Sequence, residues 1–190
     1  MPTQLAKEIV GFWQDVGAGG WYEADDALDA QIDERYRSAW EEARRGRLRE
    51  WLGNPTGALA YLILTDQFAR NMFRDDPRAF ATDTLARSAA RVSIDRKMDL
   101  HLPEPIRQFF YLPFMHAENT FDQDRCVCLI IARLPEGGGD NLLHARAHRE
   151  VIRRFGRFPW RNAALGRRDS HAETAFLEEG GYPAVVRSLA

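Results

Sequence analysis

The stretch from Asn54 to Met72 constrains the fold more than any other. Asn54-Pro55 is a helix start, with asparagine as the N-cap and proline at the first helical position. Beyond it, Leu59, Tyr61, Leu62, Ile63, Leu64, Phe68 and Met72 point in all directions around a helix. A helix that is apolar all round is buried. Yet Asp66, Gln67, Arg70 and Asn71 lie on it. Asp66 and Arg70 are i,i+4, on the face of Leu59 and Leu62, and Gln67 and Asn71 form the adjacent row. These four polar groups must be buried or line a cavity. An unpaired carboxylate there is costly, so Asp66 needs a partner, and Arg70 is the nearest.

The rest of the chain also reads as helix. Leu5, Ile9, Phe12 and Trp13 give residues 3–15 a helical stripe that Gly17, Gly19 and Gly20 end. Residues 25–46 carry a second stripe, Leu28, Ile32, Tyr36, Ala39, Trp40 and Ala43. Asp25, Asp26 and Asp29 fall in its first turn, where the helix dipole favours acids. Asp29, Glu34, Arg35 and Arg37 read as a solvated face. Asp75-Asp76-Pro77 caps a helix expected to run to about Val92, with Phe80, Ala81, Leu85, Ala86, Ala89 and Ala90 as a small-residue stripe. Asp95 to Leu100 reads as a connection. A short helix from Ile106 to Leu112 follows, ended by Pro113. Ser170 to Glu173 is a capping box, opening a short helix that Gly180-Gly181 ends. No alternating strand pattern of any length occurs. The expectation is an all-α chain, one domain over 1–190, of eight or nine helices in antiparallel pairs.

Two further stretches are polar where they should be buried. In Leu112 to Gln123, His116 stands at a turn, Glu118 and Asp122 are i,i+4, and so are Asn119 and Gln123. The helix then continues through Cys126, Val127, Leu129, Ile130 and Leu134 to a Pro135–Gly139 loop. Residues 141–155 form a helix with His144, His148, Val151, Ile152 and Phe155 along one stripe. From Arg146 to Arg168 the chain carries eight arginines against one acid, Glu150. Phe155, Phe158 and Trp160 thread this segment, while Gly156 and Pro159 break it into a loop. Aromatics want burial, and buried arginines need anions or carbonyls.

Composition narrows the possibilities. Net charge is −2, so the arginines are a local feature of a nearly neutral chain, which argues against general nucleic-acid binding. The two cysteines, Cys126 and Cys128, lie two apart on a helix and cannot bridge each other, so a reduced, cytoplasmic protein is expected. No targeting signal or apolar run near 18 residues is present, so no membrane association is expected. His116, Glu118, Asp122 and His148 are competent ligands, but their spacing matches no metal signature and no metal is expected. No phosphate loop, dinucleotide fingerprint or nucleophile elbow occurs, and no cofactor is indicated.

Three ordered motifs carry a resemblance. They are Asp66-Gln67-Phe68-Ala69-Arg70-Asn71-Met72-Phe73-Arg74, Leu112-Pro113-Phe114-Met115-His116 with Glu118 and Gln123, and Arg154-Phe155-Gly156-Arg157-Phe158-Pro159 with Arg161-Asn162 and Leu165-Gly166-Arg167. With Phe12-Trp13, Gly46-x-Leu48-x-x-Trp51 and Phe80-Ala81-x-Asp83, the chain resembles the uncharacterised bacterial DUF924 family nearly end to end. The resemblance implies a tetratricopeptide-like, right-handed helical array, and implies no activity. The chain departs from the pattern at Trp160, usually His, and at Ala117 and Asn119, usually Ser and Asp.

Two functions fit these residues. The first is a site for a small anionic ligand, with or without catalysis. Asp66, His116 and Glu118 would be its acid–base groups. Gln67, Arg70, Asn71, Gln123, His148, Arg157, Arg161, Asn162 and Arg167 would bind, the guanidinium fork matching phosphate or carboxylate. On charge economy, Asp66, Arg70, His116, Glu118, Arg157 and Arg161 are expected to form one network. The second is a tetratricopeptide-like scaffold holding a peptide or partner protein. Beside both stands a purely structural reading. Asp66–Arg70 would orient helices, the arginines would tie down a loop, and His148 would be a satisfied core histidine.

Overall fold

A computed structural model describes residues 3–190. Every regular element among them is helical, and the chain divides into two compact units, Met1–Pro113 and Phe114–Ala190. The division falls within a four-residue helix, Leu112–Met115. Pro113 therefore sits in a first helical turn, where its missing N–H costs nothing, and does not terminate the preceding turn of helix.

The first unit holds α1 (Gln4–Gly20), α2 (Asp26–Arg44), α3 (Pro55–Leu62), α4 (Ala69–Met72) and α5 (Asp83–Asp95). The α3 segment is its core. Leu59, Leu62, Ile63, Leu64 and Phe68 are fully buried, and α1 and α5 pack on α3 while α2 packs on α4. Asn54 caps α3 by accepting from the Gly57 N–H at 2.9 Å. Gly57 is required there, because a Cβ would lie 2.3 Å from the Trp51 carbonyl oxygen. Around Phe68 the rings of Phe12, Trp13 and Tyr36 close at centroid distances of 6.0, 5.3 and 5.0 Å.

The apolar helix is not continuous. Between α3 and α4, Ile63–Phe68 winds as a π-helical turn. Its backbone is answered by hydroxyls. Thr65 donates to the Tyr61 carbonyl at 2.6 Å, and buried Thr82 donates to the Thr65 carbonyl at 2.5 Å. Thr82 also receives the Trp40 indole N–H at 3.1 Å. That role accounts for a second departure. Asp76 caps only a short turn, Pro77–Phe80, and α5 starts afresh at Asp83 after Thr82. The stretch expected as a connection also winds, as Met98–His101, and buries Asp99, which accepts from the Tyr111 hydroxyl at 2.7 Å. Asp25 acts as the N-cap of α2, accepting from two backbone N–H groups, and does not lie in its first turn.

The second unit holds α6 (Thr120–Arg133), α7 (Gly139–Phe155), α8 (His171–Glu178) and α9 (Gly181–Leu189), with a short turn at Pro159–Arg161. The α7 helix packs against both α6 and α9. Its core is Ala147, Val151, Ile152, Phe158, Phe176 and Val185. Gly156 ends α7 in the left-handed region, φ 71°, a conformation that suits glycine. The capping box at Ser170 forms as the sequence predicts. The sequence does not reveal α9. Gly180 and Gly181 adopt φ of 102° and 53° and begin a helix instead of closing one, and Pro183 falls in its first turn.

Among the described residues no helix is long and apolar enough to cross a membrane.

Candidate functional site

In the first unit the π-helical turn delivers Asp66 and Gln67 inward, 1% and 7% exposed. Gln67 donates its amide to the Asp66 carboxylate. Arg70, one turn on, reaches back to the Asp66 carbonyl at 2.6 Å and its carboxylate at 3.3 Å, and holds Asp83 of α5 at 3.0 Å. One guanidinium thus spans two carboxylates from two helices. Asn71 donates to Asp29 at 2.7 Å, and Arg74 donates to Asp29 through both Nε and Nη2. Asp29, expected on a solvated face, is instead mostly covered and ties α2 to α4.

In the second unit the turn before α6 is built by amides. Asn119 is the N-cap, its Oδ1 accepting from the Asp122 N–H at 2.8 Å. Glu118 therefore lies ahead of the helix, and the expected i,i+4 rows of Glu118 with Asp122 and Asn119 with Gln123 do not form on a helical face. The Gln123 Nε2, fully buried, donates to the Met115 and Ala117 carbonyls at 2.6 and 2.9 Å. It thus holds the carbonyls of the residues on either side of His116.

The arginine loop is tied by two bidentate ion pairs. Arg167 grips Glu118 at 2.7 and 2.9 Å, and the same carboxylate accepts the Phe158 N–H at 2.9 Å. Burial would raise the Glu118 pKa, but the Arg167 hydrogen bonds, the Phe158 N–H and the charge of Arg161 leave it below the usual carboxylate range. Arg157 grips Glu173 at 2.6 and 2.7 Å, and Glu173 also accepts from the Ser170 N–H at 2.7 Å. Hydrogen bonding to Arg157, first of all, holds Glu173 far below its ordinary value. Asn162, buried, donates to Asp169 at 2.6 Å and more weakly to Glu173. Arg161 is buried as well, its guanidinium 4.6 Å from the Phe158 ring centroid.

Beside the Phe158 ring stands an uncharged group. His148 projects from α7 among aromatic rings, with centroids at 5.3 Å to Phe158, 6.0 Å to Trp160, 4.7 Å to Tyr182 and 6.3 Å to His116. Burial, then the charges of His116 and Arg161, push its pKa from 6.5 down to about 3, so the ring is neutral at pH 7. Its Nδ1 lies 2.9 Å from the His144 carbonyl. A carbonyl only accepts, so Nδ1 carries the proton and Nε2 keeps a lone pair. Burial keeps the Tyr182 hydroxyl protonated, and it donates to His144 Nδ1 at 2.6 Å while lying 3.1 Å from His148 Nδ1.

Each unit thus gathers its own share of the residues picked out in the sequence: Asp66, Gln67, Arg70 and Asn71 in one, and His116, Glu118, Gln123, His148, Arg157, Arg161, Asn162 and Arg167 in the other. Sequence reasoning missed Asp83, Glu173 and Tyr182. Asp83 and Glu173 were visible only as a motif residue and a capping residue. Tyr182 was hidden behind two glycines read as a stop. Among the described residues no group of three or more His, Cys, Asp or Glu is placed to hold a metal ion.

The chain is similar to a solved structure of a protein of unknown function, ATU0120 from Agrobacterium tumefaciens, with 43% identity and a TM-score of 0.87, over 93% of this chain and 98% of that one. No curated protein matches it. The model of the family described as a bacterial protein of unknown function, DUF924, matches residues 9–181. With most of its length matched, the chain belongs to the DUF924 family.

Proposed function

We propose that the Phe114–Ala190 unit carries a site for a small anionic ligand, centred on His148 and Arg161, with acid–base capacity at His148. The observation that carries this reading is a neutral imidazole whose Nδ1 proton is committed to a carbonyl, set beside a buried arginine. With the proton on Nδ1, the Nε2 lone pair can accept a hydrogen bond from a ligand. His116, whose neighbouring carbonyls Gln123 holds, is the second imidazole of the site. Arg157 and Arg167 serve as its frame, each spending its fork on a carboxylate, and Arg161 supplies the positive potential that favours an anion.

In the other unit, Asp66 is the acid–base candidate, with Gln67, Arg70 and Asn71 as the polar groups around it. It lies on a π-helical turn, a feature frequent at functional sites.

The test is a thermal-shift screen of the full chain against inorganic phosphate and small phosphorylated and carboxylated metabolites. A ligand that binds only the folded state must raise the melting temperature. At least one anion should do so, and Arg161→Gln should abolish the shift while leaving a cooperative melt. No shift from any anion overturns the reading. If a parallel screen of peptides gives shifts where the anions give none, a tetratricopeptide-like scaffold is supported instead.

A further inference from the structure

We infer that the ligand of this site carries a planar aromatic ring, stacked on Trp160, together with its anionic group. The inference rests on the anionic site proposed above and adds the class of molecule that fills it.

Trp160 is a large aromatic left 38% exposed. It is held firmly all the same. Phe158, fully buried, stacks against it at 4.8 Å with planes 29° apart. Tyr182 tilts against it at 5.3 Å, and His148 meets it nearly edge-on at 6.0 Å and 82°. Three rings from three segments therefore fix one indole, and what remains open is a preorganised aromatic surface. A rigid ring loses little freedom on binding, so such a surface favours a flat partner at low entropic cost.

The charge beside it selects the sign of that partner. An aromatic cluster alone also suits a cation held over its faces. Here a guanidinium, that of Arg161, lies 4.6 Å from the Phe158 ring on which Trp160 stacks. His148 feels the same positive field, which helps keep it unprotonated. Positive potential opposes a cationic guest and favours an anionic one. The Nε2 lone pair of His148 adds an acceptor for an N–H or O–H on the ring. Stacking face, acceptor and positive charge together describe an aromatic or heteroaromatic acid.

The experiment compares benzoate with cyclohexanecarboxylate, which matches it in charge and approximate size but is not flat, and with inorganic phosphate. Binding to the full chain is measured by calorimetry for the native protein and for Trp160→Ala and Trp160→Phe. Benzoate should bind about tenfold more tightly than cyclohexanecarboxylate, a margin in reach of one aromatic pair. Trp160→Ala should erase that margin while cyclohexanecarboxylate binding is kept, and Trp160→Phe should restore most of it. Equal binding of the two acids by the native protein, or a margin that survives Trp160→Ala, overturns the aromatic inference and leaves the anion site standing. Binding of none of the three overturns the inference, and the metabolite screen described above decides separately whether the anion site falls with it.

Discussion

The two units bury polar groups in different ways. In Met1–Pro113 the polar side chains of the apolar helix are matched as charges, with Arg70 bridging Asp66 and Asp83, and Asn71 and Arg74 sharing Asp29. In Phe114–Ala190 charges are matched too, Glu118 with Arg167 and Glu173 with Arg157, but the unit also holds a neutral imidazole packed among aromatic rings. A buried ion pair is costly to break, because the member left behind keeps its full desolvation penalty. It therefore holds helices in register and is poorly suited to exchanging protons. A neutral ring with one nitrogen fixed can offer the lone pair of the other to a ligand as a hydrogen-bond acceptor. Pairing marks frame, and the neutral ring marks the centre of the candidate site.

The largest expected effect tests the frame. Arg70→Ala leaves the buried Asp66 carboxylate and Asp83 without their shared cation, and should cost about 4 kcal/mol in chemical denaturation. A loss under about 1 kcal/mol would mean that water reaches these carboxylates, and the contrast between the units would collapse. The second unit gives the next largest effect. Glu118→Ala removes the partner of Arg167 and of the Phe158 N–H together, and should cost about 2 kcal/mol by the same measurement.

Most of the frame was legible in the sequence, because it follows from local rules. Asn54-Pro55 and Ser170 to Glu173 announce helix starts, and both form as written. The all-round apolar pattern after Leu59 requires burial, and the chain buries it. What stayed hidden depends on partners far apart in sequence. The π-helical turn at Ile63–Phe68 is supported by the Thr82 hydroxyl, which no local pattern at Thr65 signals. Asp29 reads as solvated on its own helix and is covered only because Asn71 and Arg74 come to it. Around the candidate site, His116 and His148 stood out as residue types. The neutrality of His148 comes from burial and from His116 and Arg161, and Tyr182 sits on a helix that two glycines concealed.

The neutral centre makes a pH prediction. Folding lowers the His148 pKa from 6.5 to about 3, so between those values the unfolded chain binds a proton that the folded chain refuses. Stability from this group is complete above pH 6.5 and is lost as pH falls toward 3. The groups acting on the ring, His116, His144, Arg161 and Tyr182, all belong to the same unit. Glu118 and Glu173, also depressed, add their losses at lower pH, below the ordinary carboxylate value of 4.5. The clean window is therefore about pH 5 to 6.5, above the carboxylate range. Denaturation midpoints should fall across that window for the native protein and stay flatter for His148→Gln. An equal slope in both would show that His148 is solvated and charges freely, and would remove the neutral centre from the comparison.

The smallest effect sharpens what pairing means. Arg74 lies four residues beyond Arg70, in the turn after α4, and also grips a carboxylate, Asp29, but its side chain is 43% exposed where that of Arg70 is 22%. An exposed guanidinium stays solvated, loses rotamer freedom when held, and is screened by salt. Asp29, covered though it is, keeps the Asn71 amide when Arg74 is removed, so no carboxylate is stranded. Arg74→Ala should therefore cost only about 0.5 kcal/mol, and less in high salt, against the far larger loss for Arg70→Ala four residues earlier. Both arginines carry the same charge and sit in the same unit, so the ratio of their effects isolates burial from charge. Equal losses would show that the charge alone sets the cost, and the division into frame and candidate site would have to rest on geometry instead of desolvation.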